Sequence, residues 1–144
     1  MSYSAELHAD GLHLHLEVIA YENAEPKTDD DANWLSCRVK FEGLGFSATL
    51  PASMTTHDFI ALRSDLRACT ARLSGRATLE PFEEVVRLSL DFEHNGVVVA
   101  SGALKLAPEP TLILSFSFST NVCDVSAFAR DIDGIVDAFP LKLA

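Results

Sequence analysis

Apolar side chains recur at every second position along most of this chain, and that period commits it to β-strands with one face buried. After the turn residues Asp10-Gly11, Leu12, Leu14, Leu16 and Val18 alternate with His13, His15, Glu17 and Ile19. From Trp34 onward, Leu35, Cys37, Val39 and Phe41 point one way while Ser36, Arg38, Lys40 and Glu42 point the other. Gly43 and Gly45 bracket a short connection to Phe46, Ala48 and Leu50, which reads as a hairpin that Pro51 closes. A second set opens with Leu88, Leu90 and Phe92. Asn95-Gly96 then offers a type I′ turn into Val97-Val98-Val99, and Gly102 weakens that strand or marks a bulge. Leu112, Leu114, Phe116 and Phe118 complete the set, alternating with Ile113, Ser115, Ser117 and Ser119.

Two stretches change period. Phe59, Leu62, Leu66, Cys69 and Leu73 return at spacings of three and four, with Thr55-Thr56 as hydroxyl caps, Asp58 in the first turn and Gly75 at the expected left-handed stop. Val125, Phe128, Ala129, Ile132, Ile135, Val136 and Phe139 form the second stripe, with Asp124 as the expected N-cap and Pro140 as the stop. The expectation is an α+β fold: a single domain over 1–144, a largely antiparallel sheet of about seven strands, and two helices (about 56–74 and 124–139) packed on one face. The order of strands then helix occurs twice, which hints at duplication without a residue-level repeat.

Composition narrows the function. Apolar residues make up 48% of the chain and charged residues 22%, which excludes a disordered tail. No apolar run approaches the roughly 18 residues that span a bilayer, and no signal peptide is visible at Met1–Glu6. Eleven bases against 21 acids leave a net charge of −10, repelled by nucleic-acid phosphates and by anionic membranes alike. The charge is uneven: residues 1–31 carry eight acids and one base, and residues 32–79 six bases and three acids. Three widely spaced cysteines, Cys37, Cys69 and Cys123, lie among apolar neighbours without C-x-x-C spacing, so buried free thiols and a cytoplasmic location are expected.

No residue set announces catalysis. His13, His15 and Glu17 share one strand face, but ligands on a single strand fan out instead of converging on a metal. The loop with Glu22, Glu25, Asp29, Asp30 and Asp31 lacks calcium-loop spacing. Glu83-Glu84 and Asp91/Glu93 look exposed, and the strip Arg63, Arg67, Arg72 and Arg76 reads as a solvated helix face before it reads as a phosphate grip. Asn33 is placed to cap the acidic loop, with Trp34 anchoring the next strand to the core.

The acidic loop runs into Asp31-Ala32-Asn33-Trp34-Leu35, and this segment resembles the WapI-like immunity proteins of bacterial polymorphic toxin systems. Leu79-Glu80-Pro81, the closing Phe139-Pro140 and the order of elements also match the family's layout, whereas Leu141-Lys142 stands where an arginine is expected after the final Phe-Pro. The resemblance implies a small cytoplasmic protein that binds and neutralises a toxin domain, without catalytic residues, metal or cofactor. An acidic inhibitor suits a basic toxin, which makes Glu22, Glu25, Asp29, Asp30 and Asp31 the expected partner-binding residues. The alternatives are a small-molecule-binding or enzymatic domain with a pocket between sheet and helices, and a structural homo-oligomer, such as a homodimer, paired through the 112–119 strand or an exposed edge.

Overall fold

The computed structural model describes residues 3–144. The first four-stranded antiparallel sheet comprises β1 (Tyr3–Ala9), β2 (Leu12–Tyr21), β3 (Trp34–Gly43) and β4 (Phe46–Thr55), paired in chain order. A one-turn helix, α1 (Asp29–Ala32), interrupts it between β2 and β3. Helix α2 (Thr56–Arg72) leads to the second sheet, β5 (Gly75–Leu79), β6 (Val86–Phe92), β7 (Val97–Leu106) and β8 (Leu112–Asn121), also paired in order. Helix α3 (Val122–Ala138) closes the chain. The class, the antiparallel pairing and both long helices stand as the sequence implies. Among the described residues the strands number eight, because β1 and β5 join those the alternation marks, and they divide into two sheets.

The hint of duplication is realised in space. Thr55 and Asn121 cap α2 and α3, accepting from the backbone N–H of Asp58 and Asp124 respectively. The second cap is therefore Asn121, with Asp124 three residues inside the helix. Phe59, Leu62, Leu66 and Cys69 are buried on α2, and Val125, Phe128, Ile132 and Ile135 at the matching places on α3. Each helix guards the outer edge of a sheet. Asp65 of α2 accepts from the backbone N–H of Thr78 in β5 (3.3 Å), and Asp131 of α3 from that of Glu6 in β1 (3.1 Å). Two edges that would otherwise present unpaired donors are thus capped. Arg67 and Asp133 join the helices across the repeat at 3.1 Å.

Several local expectations shift for identifiable reasons. β4 runs through Pro51 to Thr55, since β4 is an edge strand paired only with β3 and Pro need not donate outward. Leu73 (φ 55°), not Gly75, takes the left-handed position that ends α2. Asn95 (φ 67°) and Gly96 (φ 75°) are both left-handed, as a type I′ turn requires. Gly102 marks no bulge: it sits in continuous register opposite Leu88, where the Arg87 carbonyl passes too close for a side chain. The register shift lies in β2, between Val18 and Ala20. One continuous apolar cluster joins both sheets and both long helices, from Leu7, Leu16 and Met54 to Leu90, Phe128 and Ile132.

Candidate functional site

The acidic segment between β2 and β3 is built as a braced platform. Thr28 caps α1 by accepting from Asp31 N–H (3.1 Å), and the carboxylates of Asp29, Asp30 and Asp31 crowd its first turn, where the exposed N–H groups favour negative charge. Asn33 is the brace. Buried to 3% exposure, its side-chain amide donates to the carbonyls of Asp29 (2.7 Å) and Lys142 (2.9 Å) and accepts from Lys142 N–H (2.8 Å). Asn23 donates to the Asp31 carbonyl, and Ala144 N–H to the Asp29 carboxylate, so the C-terminal segment is stitched beneath the loop. The expected role of Asn33 is therefore fulfilled and extended to the C-terminus. Replacing Asn33 by Ala strands two carbonyls and one N–H at a single blow. Asn33→Ala should cost about 2–3 kcal/mol in chemical unfolding.

Glu22, Glu25, Asp29 and Asp30 are exposed and Asp31 is half-buried. Among the described residues none of the five carboxylates is ion-paired; Glu22 accepts a hydrogen bond from the Ser53 hydroxyl (3.1 Å). The nearby Lys142 ammonium lies 3.6 Å over the Tyr21 ring instead. Three of the four acids of α3 differ: Asp124 engages the cap, Asp131 the β1 edge and Asp133 Arg67. The loop is thus negative charge held in place largely by its backbone, its carboxylates hydrogen-bonded at Asp29 and Glu22 but not neutralised by any base among the described residues.

Other sequence candidates are dispersed. Trp34 is half-buried and lies outside the apolar cluster, on the opposite side of β3 from Leu35, so it does not anchor the core. Arg67 is tied to Asp133 and Arg76 to Asp91 (2.6 Å), which breaks the arginine strip. Cys37 and Cys69 are buried, and burial pushes the Cys37 thiol up to about 12 and raises that of Cys69. Cys123 is exposed, because it lies off the buried stripe of α3. His13, His15 and Glu17 do not form a ligand set among the described residues.

Two surface features escape the sequence reading. Phe82 is 87% exposed between Pro81 and Glu83-Glu84; the run Glu80-Pro81-Phe82-Glu83-Glu84, with its lone aromatic among acids, was the available signal. An apolar groove of about 500 Å³ opens between the β3–β4 hairpin and β8, lined by Leu12, Phe41, Leu44, Phe46, Ile113 and Phe116 among others. It exists because the outer ends of β4 and β8 run beyond the shared core, leaving Phe46, Leu112 and Ile113 exposed.

The model of a family described as the immunity protein WapI-like family matches residues 6–140. No curated protein matches the chain by sequence. Among solved structures, that of the plant transcriptional regulator PBF-2 superposes with a TM-score of 0.55 at 8% identity, covering 96% of this chain and 82% of that one. At that identity the likeness concerns the fold alone.

Proposed function

The chain belongs to the immunity protein WapI-like family, and from that premise we propose that it neutralises a cognate toxin domain by binding it, with no catalysis of its own, through an acidic surface that includes Glu22, Glu25, Asp29, Asp30 and Asp31. The observation that carries the reading is the state of those carboxylates: braced from behind by Asn33 and without ion pairs among the described residues. A rigid, unneutralised anionic platform accelerates encounter with a basic surface and loses little side-chain freedom on binding. A toxin that acts on nucleic acid needs such a basic surface for its own substrate, so covering it would block the toxin without touching its chemistry. Neutralisation of this kind takes place in the bacterial cytoplasm.

The test is expression of the neighbouring upstream gene product with and without this protein. Growth arrest relieved by co-expression, together with co-purification of the two chains, is the expected result. Arrest that persists despite soluble co-expression counts against that partner. The small-molecule alternative has the apolar groove beside β8 as its support; stabilisation of several degrees by one metabolite in a thermal-shift screen would favour it.

A further inference from the structure

The outer face of the first sheet brings together a group that no single strand displays. Register places Glu6 of β1 opposite His15 of β2, and His8 opposite His13. On the far side of β2, Glu42 and Arg38 of β3 lie opposite His13 and Glu17. The bases of this face are spent locally, Arg38 on Glu17 (3.1 Å) and Lys40 on Glu42 (3.0 Å). Of these carboxylates, Glu6 is the one that two imidazoles approach within 4 Å. His8 Nε2 stands 3.5 Å from its Oε2 and His13 Nε2 stands 3.4 Å from its Oε1.

We propose that Glu6, His8 and His13 form a binding site for a divalent cation of the zinc class, bridging β1 and β2. The ligand atoms of the three residues all lie within 4.8 Å of one another. Four ligands about 2.0–2.1 Å from zinc in a tetrahedron stand roughly 3.3–3.4 Å apart, a spacing that His13 Nε2 and Glu6 Oε1 already have at 3.4 Å. Two imidazoles and a carboxylate are the borderline donors such an ion prefers, and the fourth position is left for water. A second observation points the same way: His13 Nε2 is shielded from solvent and makes no well-directed hydrogen bond, despite the carboxylate nearby. In the tautomer that carries its proton on Nδ1, this shielded nitrogen offers a lone pair that a metal ion would satisfy. The His8 and His13 rings stack at 4.5 Å and 9°. Parallel rings cannot both aim at one ion, so binding requires the exposed His8 ring to swing out of the stack. The site does not rest on the immunity reading.

The experiment is calorimetric titration of the tag-free full chain with zinc sulfate, and a parallel cobalt(II) titration followed by its visible d–d absorption. One ion per chain is expected, with tetrahedral cobalt bands and loss of the ring-current shifts of His8 and His13. Saturation should also raise Tm, by roughly 8 °C at a hundredfold excess over Kd. His13→Ala and the isosteric Glu6→Gln should each weaken binding at least ~100-fold, while His57→Ala, remote from the cluster, leaves it unchanged. Circular dichroism identifies any variant that has failed to fold, and Glu6→Gln preserves the side chain's shape. Absence of saturable binding, or binding that survives both Glu6→Gln and His13→Ala in folded protein, overturns the proposal.

Discussion

Reversal of Asp29, Asp30 and Asp31 to Lys should slow association with the toxin domain by about 10- to 100-fold at low salt and flatten the dependence of the association rate on ionic strength. The three carboxylates sit side by side on the first turn of α1, so the reversal moves six charge units in one patch. Their field reaches about 10 Å at 0.1 M salt, so the loss should fade as salt rises. Asp29 also accepts from Ala144 N–H, so the triple variant disturbs the C-terminal brace as well as the charge. Glu25→Lys with Asp30→Lys separates the two effects, because neither side chain makes a hydrogen bond among those found in the described residues. Stopped-flow association at several salt concentrations reads the outcome. A full-speed, equally salt-sensitive double variant removes the loop from the encounter surface.

The largest effect on stability is expected at Gly102. A Cβ built there meets the Arg87 carbonyl oxygen at 1.9 Å and the Phe116 ring at 3.0 Å. The first obstacle is backbone of β6, which at Arg87 is paired with β7 opposite Ala103, and it cannot retreat without straining that ladder. Gly102→Ala should therefore destabilise by about 3 kcal/mol, lowering Tm by roughly 10 °C. Gly134 is the contrast. It lies in α3 with nothing within 4 Å of its Cβ position, so Gly134→Ala should stabilise by about 0.5–1 kcal/mol through helix propensity. Thermal unfolding of the two variants side by side checks both signs.

What could be read from the chain divides along local and non-local lines. Alternation such as Leu112 to Phe118 and the stripe from Phe59 to Cys69 are properties of neighbours in sequence, so strands and helices were legible. β5 is only five residues long, and β1 alternates Tyr3, Ala5, Leu7 and Ala9 with Ser4, Glu6 and His8, a readable pattern weakened because two of its four apolar positions are alanine. The division into two sheets, with α2 between β4 and β5, is a matter of which strands pair, and that is set by tertiary packing. At the site the acids, the Asn33 cap and their exposure followed from local composition. The bracing by Lys142 and Ala144 did not, because the partners are more than a hundred residues away. The histidines show the same limit from another side. Along β2 alone, His13, His15 and Glu17 diverge; convergence appears only when register sets Glu6 and His8 against them. Cys123 is exposed because apolar neighbours in sequence do not fix which face of a helix a residue takes, whereas for Trp34 the alternation that turns Leu35 inward already turns the indole to the other face.

The apolar groove beside β8 and the exposed Phe82 are the surfaces that compete with the acidic loop as a place for a partner. Amide hydrogen–deuterium exchange on the protein, free and bound to the toxin domain that arrests growth, distinguishes them directly. The account predicts that protection on binding concentrates in residues 22–31. Unchanged exchange there, with new protection along β8 or around Phe82, would contradict it.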